Sequence, residues 1–200
     1  MRKLHNKVLI LCLVTLLIDN RVMSNRNDKT SQCVIKNLHY KNEYLIATNY
    51  SDKYIDDGKF VYQNRKKAVI DKLPSYDFLK DSQVVWTFVP SSNQTFFIKS
   101  SMNRNQYLCA TDTFVDRLKH RRKVNLNNLD RKNQYESLKC QWKVTITNGN
   151  HLIKNHFYKE PMYAANMFYS SGRPLKRNLF TWKNKNANSD QFYWGVYCQN

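Results

Sequence analysis

Phe97-Ile98-Lys99, Tyr107-Leu108-Cys109-Ala110, Arg121-Arg122-Lys123-Val124 and Trp142 form one passage of this chain, and the passage recurs. An earlier version reads Val34-Ile35-Lys36, Tyr44-Leu45-Ile46-Ala47, Lys66-Lys67-Ala68-Val69 and Trp86. A later one reads Leu152-Ile153-Lys154, Met162-Tyr163-Ala164-Ala165, Lys176-Arg177-Asn178-Leu179 and Trp194. Self-similarity with a period of about 55 residues means that one supersecondary unit is built three times, and that no unit buries its apolar face alone. The copies run from about 33–90, 91–146 and 147–198, with no linker between them.

Within a copy the segments read as strands. In Lys139 to Ile146, the residues Cys140, Trp142, Val144 and Ile146 share one face, while Gln141, Lys143 and Thr145 share the other. Val84 to Val89 alternates in the same way, and Thr95 to Lys99 is rich in aromatic and β-branched residues. Thr147-Asn148-Gly149-Asn150 predicts a hairpin turn. Asp71 to Lys80 reads as a short helical turn or a loop, because Pro74 forbids a longer helix. Leu108 to Val124 and Tyr163 to Leu179 each span 16 positions, but Leu45 to Val69 spans 24. The first copy therefore carries about eight extra residues around Tyr50 to Phe60, expected in a surface loop. Three copies of about four short strands predict an all-β chain of β-trefoil type, with six strands in a barrel and three hairpins capping one end. Closure removes the free sheet edges. A β-sandwich would give no reason for threefold repetition.

The N-terminus reads separately. Arg2, Lys3 and Lys7 precede an apolar run from Val8 to Ile18, too short to span a bilayer, and Val22 and Ser24 suit a signal-peptidase cut after Ser24. Residues 1–24 are expected to be a signal peptide rather than an anchor, 25–32 a polar tail, and 33–198 a single domain. No later stretch is apolar enough to predict a membrane span. Of the 33 basic and 15 acidic residues, the leader holds Arg2, Lys3, Lys7, Arg21 and Asp19. The mature domain is thus net +15, and a secreted domain so basic attracts polyanions.

Cys12 leaves with the leader, and Cys33, Cys109, Cys140 and Cys198 remain. An even count in an oxidising compartment points to two disulfides with three possible pairings. Cys33–Cys198 and Cys109–Cys140 are the expected ones: the first joins the ends of the repeat array, the second stays in the middle copy. Closing so long a loop stabilises by about 5 kcal/mol on the chain-entropy model. No cysteine or histidine spacing suits a metal, so neither metal nor cofactor is expected. Asn49-Tyr50-Ser51 and Asn93-Gln94-Thr95 are sequons, and Asn49 and Asn93 are candidate glycan acceptors.

Tyr163-Ala164-Ala165, then Pro174 to Trp182, then Trp194 resembles the repeat of small secreted β-trefoil proteins of flies and mosquitoes. The layout is similar to the C-terminal trefoil of moth 30-kDa haemolymph lipoproteins. The resemblance covers about 33–198 and is clearest in the third copy. It implies an insect extracellular fluid, haemolymph or saliva, rather than a reaction.

The tryptophans are expected in the core. Ricin-type lectins carry Gln-x-Trp in each repeat, but here Gln83 and Gln191 stand one residue too far from their tryptophans, and Gln141 one too near. The basic pairs Lys66-Lys67, Arg121-Arg122 and Lys176-Arg177 have no use in a core. Either they are solvated charge or they form a polyanion site around the pseudo-threefold axis. Arg117 to Lys123 is densest, and period-two alternation would place Lys119, Arg121 and Lys123 on one face. Arginine there would give bidentate contacts to sulfate or phosphate. The histidines match no nucleophile or carboxylate pattern, and no catalytic motif is present, so an enzyme is not expected. The expected activity is binding of an extracellular polyanion such as heparan sulfate, by a monomer. A protein-binding effector using trefoil loops, or a lectin, are the alternatives. Secretion argues against a physiological nucleic-acid partner.

Overall fold

A computed structural model describes residues 31–56, 59–73, 81–91, 94–103, 105–129, 137–168, 176–183 and 188–199, with backbone alone for 52–56, 59–64 and 167–168. The expected leader, most of the tail, Asn93, and most of Asp71 to Lys80 lie outside the described residues. The described residues form twelve strands, β1 (Gln32–Asn37), β2 (Glu43–Asp56), β3 (Lys59–Lys72), β4 (Val85–Pro90), β5 (Phe96–Ser100), β6 (Gln106–Phe114), β7 (Arg121–Asn128), β8 (Gln141–Thr147), β9 (Asn150–Asn155), β10 (Met162–Phe168), β11 (Arg177–Trp182) and β12 (Tyr193–Gln199). Each copy supplies four.

Six strands close a ring. β1 pairs with β12, β12 with β9, β9 with β8, β8 with β5, β5 with β4, and β4 with β1. The other six make three hairpins, β2–β3, β6–β7 and β10–β11. Their second strands meet pairwise, β3 with β7, β7 with β11 and β11 with β3. A closed barrel with a triangular hairpin cap is the β-trefoil, and it leaves no barrel edge to template aggregation.

The repeated residues fill the core. Ile35, Ile98 and Ile153 are fully buried, as are Leu45, Leu108 and Met162, and Trp86, Trp142 and Trp194. Each indole N–H donates to a carbonyl of its own copy: Trp86 to Leu45 at 2.9 Å, Trp142 to Leu108 at 2.7 Å, Trp194 to Met162 at 3.4 Å. Burying a tryptophan this way leaves no unsatisfied donor. It also excludes these three rings as sugar platforms.

Disulfides join Cys33 to Cys198 and Cys109 to Cys140. Asn148 and Gly149 both have positive φ (52° and 76°), as the two-residue turn between β8 and β9 requires. The extra residues of the first copy lie in regular pairing, with Lys53 opposite Tyr62 and Asp56 opposite Lys59. They lengthen a hairpin rather than form a loop.

Candidate functional site

The cap sets the basic residues. All three hairpins shift register at an equivalent place, between Ala47 and Ser51, between Ala110 and Phe114, and between Ala164 and Phe168, and β2–β3 shifts again between Ser51 and Lys53. Beyond the shift Ser51 faces Lys66, Phe114 faces Arg122, and Phe168 faces Arg177. Across the triangle Lys66 lies opposite Leu126, Arg122 opposite Thr181, and Arg177 opposite Ile70. Lys66, Arg122 and Arg177 are therefore the threefold set. This corrects the copy alignment: Arg65-Lys66, not Lys66-Lys67, matches Arg121-Arg122 and Lys176-Arg177, and Ala164, not Ala165, matches Ala47 and Ala110.

Two of the three are held by carboxylates, Arg122 buried and Arg177 half-buried. Arg122 Nε and Nη2 donate to the Glu160 carboxylate at 3.1 and 3.3 Å, and Nη1 donates to the Thr111 carbonyl at 3.0 Å. Its guanidinium lies 4.2 Å from the Phe114 ring centroid and 3.6 Å from that of Tyr158. Thr181 Oγ1 also donates to Glu160. The side chains of Arg122 and Glu160 are 8% and 4% exposed, so a polyanion cannot reach this arginine.

Arg177 repeats the arrangement. Its Nε donates to Glu43 at 2.7 Å, and its guanidinium stacks 3.7 Å from the Tyr40 ring centroid. Each arginine clasps the following copy, the third closing onto the first. Asn37 and Asn155 shape the turn that presents the tyrosine, their Oδ1 atoms accepting from the Tyr40 and Tyr158 amides at 3.2 and 3.0 Å.

An outer tier covers each clasp. Tyr158 donates its hydroxyl to Asp112 at 2.5 Å, and Lys139 pairs with the same carboxylate. Burial pushes the Asp112 carboxyl up, but the bonds from Lys139 and Tyr158, with the charges of Lys139 and Arg122, hold it below the usual range. In the other clasp an amide pair does this work. Gln191 Nε2 donates to the Tyr40 hydroxyl at 2.6 Å and to Asn166 at 3.0 Å.

The corresponding positions between copies one and two are Lys66, Gln106, Asn103, Ser100, Asn49 and Gln83. Lys66 Nζ donates to Ser51 Oγ at 3.2 Å. Asn103 Nδ2 is buried without a hydrogen-bond partner among the described residues. No carboxylate stands at the Gln106 position. Asn49, the first residue of its sequon, is exposed at this seam.

The remaining expected cations divide. Lys176 pairs with Asp71 at 3.3 Å. Lys67 and Lys123 are half-buried, opposite Asn125 and Phe180. The dense segment is not one strand: β7 begins at Arg121, and 116–120 is a turn, so Lys119, Arg121 and Lys123 do not share a strand face. Asp116 makes the turn. Its carboxylate accepts from the His120 amide at 3.0 Å, the Arg121 amide at 2.9 Å and Arg121 Nε at 3.1 Å. The His120 bond and the Arg121 bonds and charge hold its carboxyl below the usual range, against partial burial. Arg117, Lys119 and His120 are left exposed around Leu118, itself 74% exposed. Lys183, also exposed, joins this turn through its amide, which donates to the His120 carbonyl at 2.7 Å.

The clasp partners Glu43, Glu160, Tyr40 and Tyr158 escape a sequence reading. Tyr40 precedes Glu43 by three positions, but Tyr158 precedes Glu160 by two, so no common motif shows.

No protein-family model and no curated protein matches the chain. Solved structures do. A salivary protein of the cysteine- and tryptophan-rich family from the mosquito Culex shares 15% identity, with a TM-score of 0.57 over 88% of this chain and 98% of that one. The designed threefold-symmetric protein ThreeFoil shares 9% identity, with a TM-score of 0.59 over 83% and 97%. A lectin of Polyporus squamosus, solved with a human-type influenza-binding epitope, shares 11%, with a TM-score of 0.57 over 84% of this chain and 49% of that one. Identities this low establish the trefoil fold alone.

Proposed function

We propose that this chain is a secreted, non-enzymatic insect binding protein that captures an extracellular polyanion, such as heparan sulfate, through the turn at 116–120. The observation that carries this reading is the preorganised turn. Arg117, Lys119 and His120 are exposed on backbone already fixed by Asp116, with Lys183 beside them. Little loop entropy is lost when such a surface binds. Two disulfides and the likeness to a salivary protein support an extracellular setting.

The test is retention of the mature protein on immobilised heparin, compared with a sulfonate exchanger of equal charge density. Elution from heparin at higher salt is expected for the wild type. Arg117→Gln with Lys119→Gln removes that excess, and the charge-matched Lys41→Gln with Lys72→Gln keeps it. Equal losses in both pairs, or no excess in the wild type, overturn the reading.

A second reading has an observation of its own. The lengthened hairpin β2–β3 is a feature of one copy alone, which suits a protein-binding effector. Shortening the hairpin between Ser51 and Lys66 then abolishes partner capture while heparin retention persists.

A further inference from the structure

The isoleucine of the Ile-Lys step that opens each copy is core, but its lysine is not, and in the third copy that lysine acquires neighbours. Lys143 on β8 lies directly opposite Lys154 on β9. Trp142 and Asn155 beside them are fully buried while both lysines are exposed, so the two side chains leave the barrel on its outer face. Opposed residues have Cβ atoms about 5 Å apart, and like charges so placed destabilise a ladder. Among the described residues neither lysine has a carboxylate partner.

The chain after β9 adds two more groups. The His156 amide donates to the Gln141 carbonyl at 2.8 Å, which ties this turn to the start of β8. The Lys159 amide donates to the Asn155 carbonyl at 2.9 Å, and Lys159 adopts a left-handed φ of 59°. Partial burial, then the charges of Lys159 and Lys143, push the His156 imidazole below its usual range, so the three groups share one field. The counterparts of Lys154 are Lys36 and Lys99, but those of Lys143 are Gly195 and Thr87, and those of His156 are Leu38 and Ser101. Two ammonium groups acting on an imidazole, with a third lysine directly opposite one of them, are therefore peculiar to copy three.

We propose that Lys143, Lys154, His156 and Lys159 form a site for one tetrahedral oxyanion, a sulfate or phosphate monoester. Lysines serve as point charges to such a group, and the imidazole adds an N–H donor. A bound anion relieves the repulsion between Lys143 and Lys154. The site shares no residue with the turn at 116–120 and does not depend on the polyanion reading.

The experiment is an NMR titration of the His156 ring in the mature protein. The probes are inorganic sulfate, inorganic phosphate, a sulfated monosaccharide and a sugar phosphate. Saturable shifts are expected, with the His156 titration midpoint moving up when anion is bound. Lys143→Gln with Lys159→Gln weakens binding at least tenfold, while Arg117→Gln with Lys119→Gln leaves it unchanged. Both pairs are exposed, and unchanged amide spectra elsewhere report intact folding. Tighter binding of the sulfated sugar assigns the site to sulfated glycans, and tighter binding of the sugar phosphate to phosphate esters. Non-saturable shifts, or equal affinity in wild type and the Lys143/Lys159 variant, overturn the proposal.

Discussion

At the seam between copies two and three, Arg122 is wedged between two aromatic rings and bound to a buried glutamate. Between copies one and two, Lys66 reaches a serine hydroxyl, and a glutamine stands where the glutamate would. Four positions differ together: arginine becomes lysine, glutamate glutamine, tyrosine asparagine, and the turn asparagine Ser100. The physical logic is that a buried charge without its partner is expensive, so the members of a clasp are lost as a set. Lysine tolerates the loss, because its flexible stem carries the charge toward water. The clasped seams hold the trefoil closed. The unclasped one keeps uncharged side chains, Gln106 and Ser100, at its buried positions.

Glu160→Ala is expected to have the largest effect. It strands Arg122 in a site 8% exposed, and a loss of about 3–5 kcal/mol is expected from denaturant unfolding. Replacing both partners, Arg122→Met with Glu160→Leu, recovers most of that loss, since the cost lies in the orphaned charge. Recovery of less than half would mean that the ion pair itself holds the seam. Arg177→Ala is the milder version. Its pair is 16% and 9% exposed, and Ile70 stands where the other clasp has Thr181, so about 1.5–3 kcal/mol is expected from the same measurement.

The third seam offers the converse test, building a clasp where none stands. Gln106→Glu alone introduces a carboxylate at a buried position, and Lys66→Arg alone gives it no fixed partner. Together they are expected to couple by about 1 kcal/mol in a double-mutant cycle. Additivity would show that Asn103 in place of tyrosine is enough to prevent a clasp.

The barrel was legible in the sequence because its signals are local. Ile35, Ile98 and Ile153 and the three tryptophans recur at the same points of their strands, and Cys33 and Cys198 face each other on β1 and β12. The cap was less legible, because a register shift and a lengthened hairpin separate its residues. Lys66-Lys67 therefore aligns one residue late in the sequence, although Lys66 is a true member of the threefold set. Arg122 and Arg177 looked like surface charge because their partners come from another copy. The segment 117–123 looked like a strand because period-two alternation takes no account of Asp116, whose carboxylate turns the chain. Lys143 opposite Lys154 is visible only once β8 and β9 are paired.

The smallest expected effect distinguishes the two clasps from each other. Their outer tiers are built alike, but one is charged, Asp112 with Lys139, and the other neutral, Asn166 with Gln191. The folded Asp112 carboxyl titrates below its ordinary 3.8, so its contribution is fully present above that value and is lost as pH falls through the folded midpoint. Asp112→Asn with Lys139→Gln copies the neutral tier into the charged seam and removes both ions together, so no buried ammonium is orphaned. Asp112 is 65% exposed, and solvent screening keeps the change at neutral pH small. Denaturant midpoints measured from pH 7 to pH 2 should nearly coincide with wild type at the upper end, with a shallower decline in the variant below pH 4. The Asp116 carboxyl also titrates low and is untouched, so some acid sensitivity persists. Parallel pH curves for the two proteins would mean that Asp112 has no favourable link to folding, and that the hydroxyl of Tyr158 is held as well by an amide as by a carboxylate.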